Sequence, residues 1–174
     1  MIYFIGDLHF GDENIIKFDN RPFNTVEEMD KELIKRWNAA VTVDDDIYIN
    51  GDIGNINSDT LSQLNGNKYL IMGNHDELLP YGYIEMGFVN AYDHPIILED
   101  FYIISHEPMY VNNNSPYANI FAHIHNNPMY KGVSTRSFCT SACRSKVNYS
   151  PVSFQYIKNC ISVECEKEAS NDRS

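Results

Sequence analysis

An α/β fold with a second, β-rich sheet is predicted for this 174-residue chain by three observations. Ile2-Tyr3-Phe4-Ile5 is a short apolar run that stops at Gly6, the mark of a buried strand. An amphipathic segment over 25–41 leads into a second such run, Ile47-Tyr48-Ile49; strand–helix–strand implies a right-handed crossover and parallel pairing. Further along, 88–92, 96–98, 101–104 and 120–122 are β-rich with short connections, which predicts antiparallel pairing in a second sheet.

The helix over 25–41 has clear start signals, with Thr25 and Glu28 spaced as a capping box. Val26, Met29, Leu33, Trp37 and Ala40 fall on one face, and Glu32 with Arg36 makes an ion pair on the other. Thr60 to Leu64 reads as a short helix and Tyr69 to Met72 as a third strand. The Asn and Pro content of 107–119 predicts a loop, and Phe138 to Ala142 adds a strand. Near the end two readings stand: Phe154, Ile157 and Ile161 fit a helix after Pro151, whereas Ile161, Val163 and Cys165 alternate like a strand. One domain is expected over 1–165, with a frayed acidic tail over 166–174.

Composition excludes several classes. With 43% hydrophobic and 13% aromatic residues the chain is globular, and no apolar run approaches the ~18 residues of a bilayer span. The first residues lack a basic region and a cleavage site, so they read as a strand rather than a signal peptide, and the cytoplasm is the expected location. A formal charge of −11 argues against nonspecific nucleic-acid coating, which needs Lys and Arg on phosphates. A small phosphorylated substrate is still compatible, since two divalent cations bring about four positive charges to the place it occupies. Self-association into a homo-oligomer is equally compatible. Cys139, Cys143, Cys160 and Cys165 lack the density of a disulfide framework and read as reduced thiols.

The chemistry is concentrated in five short motifs: Asp7-Leu8-His9, Gly51-Asp52, Gly73-Asn74-His75-Asp76, Ser105-His106 and His123-Ile124-His125. Five of the six histidines lie in them, and each motif follows an apolar run. Singly they are weak: Asp-x-His recurs by chance, Gly-Asp is an ordinary turn, and His106 reads as a core histidine. In order, each at a strand end, they read as a metal site in the crevice beyond the carboxyl ends of the strands. In an extended segment residues i and i+2 point to one side, so Asp7 with His9, and His123 with His125, can share an ion. Asn74 and His75 diverge, one toward metal and one toward substrate. Mixed carboxylate and imidazole donors suit Mn²⁺, Fe, Zn²⁺ or Ni²⁺ better than Ca²⁺.

From residue 1 to about 157, these motifs in this order give a chain that resembles the calcineurin-like metallophosphoesterase superfamily. Asp7 to Asn14, followed by Asn20-Arg21-Pro22-Phe23 and the helix at 25–41, is similar to its small uncapped bacterial and phage phosphoesterases. The resemblance implies a four-layer α/β/β/α sandwich, two facing mixed β-sheets flanked by helices. It implies two divalent transition-metal ions, Mn²⁺ first. Asp7, His9 and His125 would bind one, Asn74, His106 and His123 the other, and Asp52 would bridge them. His75 would be the general acid, with Asp76 orienting its imidazole. Three departures matter. Ala122 stands where the last motif has Gly. Asn55 and Ile56 replace the Asp and Arg of protein phosphatases, which disfavours a phosphoprotein substrate. Asp12 stands where relatives often have His.

The expected chemistry is hydrolysis of a phosphoester by hydroxide held between two cations ~3.5–4 Å apart. Lys17 and Arg21 are candidate phosphate contacts. A chain too short for a cap domain leaves an open groove, which leans toward phosphodiesters or nucleotides, with phosphomonoesters as the close alternative. A metal-binding interaction scaffold of the same fold is the rival class, and the presence of His75 favours an enzyme over it.

Overall fold

The computed structural model describes residues 1–112, 114–127, 130 and 134–171, with side chains as far as 162. The first sheet has the order β4-β3-β2-β1-β9. It is built from β1 (Ile2–Ile5), β2 (Asp46–Ile49), β3 (Asn67–Ile71) and β4 (Asn90–Tyr92), all parallel, with β9 (Val152–Ser153) antiparallel on β1. The second has the order β5-β6-β7-β8. Here β5 (Ile96–Leu98) is antiparallel to β6 (Tyr102–Ile104), while β6, β7 (Ala118–Phe121) and β8 (Ser137–Cys139) run parallel. Both sheets are therefore mixed. Two expectations need correction: β4 belongs to the first sheet, and only one pair in the second is antiparallel. The loop over 107–117 is long enough to return the chain for parallel pairing, which the short strands alone did not reveal.

The helices are α1 (Glu13–Phe18), α2 (Val26–Ala40), α3 (Ser58–Ser62), α4 (Pro80–Met86) and α5 (Phe154–Asn171). In α2, Met29, Leu33 and Trp37 are buried as the spacing predicts, and Arg36 reaches Glu32 at 2.8 Å. Thr25 caps the Glu28 N–H, but Glu28 reaches back to Asn24 N at 2.8 Å rather than to Thr25. The C-terminal segment resolves as helix. Residues 166–171, expected to fray, continue α5, and 172–174 lie outside the described residues. One apolar core takes in Phe4, Ile5, Ile47, Ile49 and Leu70 from the first sheet and Ile104, Ile120 and Phe138 from the second. No helix among the described residues is long and apolar enough to cross a membrane.

The parallel strands matter most for function. β1, β2, β3, β6 and β7 all deliver their carboxyl ends to one edge, and each is followed by one of the five motifs. Asn50, just past β2, ties the two sheets there, its amide donating to Ser105 O at 2.9 Å and Ile120 O at 3.1 Å.

Candidate metal centre

The donors converge, though by a different backbone device from the one expected. Asp7, His9, Asp52, His123 and His125 all have positive φ, between 46° and 65°. They are single left-handed residues in tight turns, not i, i+2 neighbours on extended chain. Such conformations cost of order 1–3 kcal/mol each and persist only where surroundings fix them. Here the turns are laced together. Asp7 N donates to Gly51 O at 3.0 Å, His9 N to Asp52 O at 3.0 Å, and Ala122 N to His106 O at 2.8 Å. Gly51 (φ 79°) completes the lacing because a Cβ there would lie 2.3 Å from His106 Nδ1. Ala122, in place of the usual glycine, fits because Gly6 faces it; a Cβ on Gly6 would stand 2.5 Å from that of Ala122.

Two donor groups share one residue. Asp7, His9, Asp52 and His125 offer ligand atoms within 4.8 Å of one another, and so do Asp52, His106 and His123. Asp52 Oδ2 lies 3.7 Å from His9 Nε2 and 3.5 Å from His106 Nε2, between the groups. Asn74 completes the second, its Oδ1 standing 3.0 Å from His106 Nε2 and 3.1 Å from His123 Nδ1. Those two ring nitrogens are themselves 3.0 Å apart. Ligands about 2.1 Å from one cation and at right angles to each other stand about 3 Å apart, so this spacing fits a metal.

Protonation supports the same fit. His106 Nδ1 donates to Asn50 O at 2.8 Å, which leaves the lone pair of a neutral ring on Nε2, facing the acceptor Asn74 Oδ1. His125 Nδ1 donates to Asp19 Oδ2 at 2.8 Å and so also turns Nε2 inward. Burial pulls His9 down to about 4, keeping its ring neutral, and pushes the Asp7 carboxyl up despite the nearby His125. Asp7 Oδ2 and His9 Nε2 are buried with no hydrogen-bond partner. Acceptor atoms crowded together and unpartnered are costly unless a cation lies among them.

The remaining expected residues are placed less uniformly. His75 stands exposed at the rim of a 750 Å³ cleft, its N–H held by Asp52 Oδ1 at 2.9 Å. Asp76 does not orient that imidazole. Its carboxylate accepts instead from Gly73 N at 2.7 Å, Asp52 N at 2.9 Å and Ile53 N at 3.0 Å, fastening two metal loops together. Arg21 is not a phosphate contact: its side chain is 0% exposed and donates to Asp7 O at 2.7 Å and Leu8 O at 2.8 Å. Lys17 points outward from α1 and is not part of the cleft wall. Asp12 caps α1 through Asn14 N at 2.8 Å while lying 3.8 Å from His9.

Sequence reasoning missed Asp19, at the end of α1, and Asn50, just past β2, which hold the two histidine rings; the one signal was the polarity of Asn50 beside an apolar strand. Cys143, left out of the site, stands against Asp19 and His125, but burial raises its thiol to about 12 and keeps it protonated. Cys139, Cys143 and Cys160 are all unpaired. His94 is exposed and pairs with Asp93, away from the cleft.

The chain is 46% identical over 82 residues to an uncharacterised protein of Methanocaldococcus jannaschii, covering 44% of this chain and 47% of that one. It is 36% identical over 97 residues to the Gene 66 protein of Mycobacterium phage L5, covering 52% and 46%. The match thus spans about half the length of each of these curated relatives. A solved protein of unknown function from Aquifex aeolicus shares the fold, with a TM-score of 0.70 at 23% identity over 91% of this chain and 98% of that one. Residues 1–142, which carry all seven donors, match the calcineurin-like phosphoesterase family, and the chain belongs to that family.

Proposed function

We propose that the protein hydrolyses small phosphodiesters or nucleotides with two divalent transition-metal ions, Mn²⁺ being the first candidate. The observation that carries this reading is the position of Asp52 Oδ2, one carboxylate oxygen within 3.7 Å of a donor from each group. Asp7, His9 and His125 would hold one ion, Asn74, His106 and His123 the other, and Asp52 both. When bound, such ions activate water and offset the charge that builds on phosphorus.

The chain's own residues supply the rest. Asn50 and Asp19 fix which ring nitrogens of His106 and His125 face inward. Asp52 Oδ1 holds the His75 backbone and so keeps its ring, 5.5 Å from that of His9, at the cleft rim. There it can give a proton to the leaving oxygen. The cleft is open, and its 750 Å³ suits a diester with two substituents.

Turnover of an aryl phosphodiester and its monoester with added Mn²⁺ tests the proposal. His75→Ala is expected to lower kcat by ~10²–10⁴ while keeping bound metal; Asp52→Asn is expected to lose both metal and turnover. A folded, metal-loaded wild type inert on every ester would overturn the enzyme reading in favour of a scaffold. Turnover of monoesters alone would replace the diester assignment.

A further inference from the structure

A second cavity, of 390 Å³, opens beside the cleft and is walled in part by the same two residues, Ile124 and Tyr130. Its chemistry is the reverse of the molecule around it. The chain carries a formal charge of −11, yet the described wall of this cavity contains Arg144 and Lys146 and no carboxylate. The hydroxyls of Ser134, Thr135, Ser137 and Ser145 add to the polar lining, against Phe121 and Phe138. Arg144 Nε is buried with no hydrogen-bond partner, and its guanidinium makes no ion pair among the described residues. An unpaired buried guanidinium nitrogen is costly in a folded chain and marks a place where an anion would be welcomed. Its planar fork matches phosphate, which can also accept from hydroxyls.

We infer that this cavity is a phosphate subsite, and that the enzyme's substrate is a phosphodiester carrying at least one further phosphate, with the scissile group at the metals and the second at Arg144. The inference rests on the hydrolase reading above and narrows its substrate class. The surrounding negative charge gives the subsite selectivity: an anion is repelled from most of the surface and attracted only where cations either coordinate or line the wall. Tyr130, at the junction of the two cavities, supplies a flat surface for the group that joins the phosphates.

The test compares a thymidine dinucleotide with the same dinucleotide bearing a terminal phosphate. Wild type is expected to favour the phosphorylated form about tenfold in kcat/KM, and Arg144→Ala to reduce that ratio to about one. Arg144→Lys, which keeps charge without the fork, is expected between them. Equal loss on both substrates in Arg144→Ala, or no wild-type preference, overturns the subsite. If wild type hydrolyses neither dinucleotide, the phosphodiester assignment fails, and binding still decides the subsite. With metals stripped by chelator, inorganic phosphate should bind wild type and His75→Ala alike and at least tenfold more weakly to Arg144→Ala. Identical phosphate binding by wild type and Arg144→Ala would remove the subsite, and phosphate bound as tightly as the phosphorylated dinucleotide would assign the cavity to free phosphate instead.

Discussion

Asp19 Oδ2 accepts from His125 Nδ1 at 2.8 Å while the Arg21 guanidinium lies against the same oxygen at 3.3 Å. Burial would raise this carboxyl, but His125 and Arg21 outweigh it and hold it below its ordinary value. The carboxylate therefore stays ionised and keeps the His125 ring in one tautomer and one orientation. Such partners behind a ligating histidine typically govern metal affinity by 10–100-fold. Asp19→Ala should need correspondingly more Mn²⁺ for half-maximal activity, with turnover recovered at saturating metal. Unchanged metal dependence in a well-folded variant would deny Asp19 this role.

Arg21 acts on the other side of that pair. Its Nη1 and Nη2 hold the carbonyls of Leu8 and Asp7, the turn on which the first two donors sit. Arg21→Met removes a buried charge-assisted network and strands two carbonyls and Asp19, at a cost of roughly 3–5 kcal/mol. Denaturant unfolding of metal-free protein should register the loss. A variant of wild-type stability whose KM alone rises would restore Arg21 to the substrate.

How much of this was legible beforehand follows from what each feature depends on. The first strand, α2 and the five motifs were visible because their signals are local: periodicity, a cap, a polar cluster after an apolar run. Those motifs bring Asp7, His9, Asp52 and His125 into one group and Asp52, His106, His123 and Asn74 into another. Arg21 and Asp76 were misread because their partners are backbone atoms of turns brought to them by the fold, and nothing in a residue's type says which N–H or carbonyl it will meet. The left-handed turns were equally hidden, since Asp and His at positive φ look in sequence like Asp and His anywhere. α1 was missed because its six residues are too short for a periodic signal.

Gly73 shows how little room the centre leaves. A Cβ on it would sit 2.2 Å from Asp52 Oδ1 and 2.8 Å from His106 Cε1, reaching both metal groups at once. Gly73→Ala should therefore displace the bridging carboxylate, and metal titration followed by calorimetry should show both stoichiometry and affinity reduced. Gly82, whose Cβ would meet Leu78 only at ordinary contact distance of 3.4 Å, is the control: Gly82→Ala should bind metal as wild type does. Two intact metal equivalents in Gly73→Ala would mean the loops yield more easily than the packing allows.

The acid limb of stability has a source outside the centre. Asp45 is lowered to about 2 by the Met1 amino group first, then by the N–H and hydroxyl of Thr42, at 2.8 Å and 2.7 Å. An unfolded Asp titrates near ~3.9, so the folded value is the depressed one. The stabilisation is therefore complete above about pH 4 and disappears as pH falls through the window toward 2. Asp45→Asn should unfold at lower denaturant than wild type at pH 7, and that gap should close between pH 4 and pH 2. Both proteins should be measured with chelator present, because protonation of the metal ligands would otherwise add its own acid transition. A gap that stays constant down to pH 2 would show that the carboxylate's charge contributes nothing beyond its shape, and that the acid sensitivity of the fold resides at the metal centre alone.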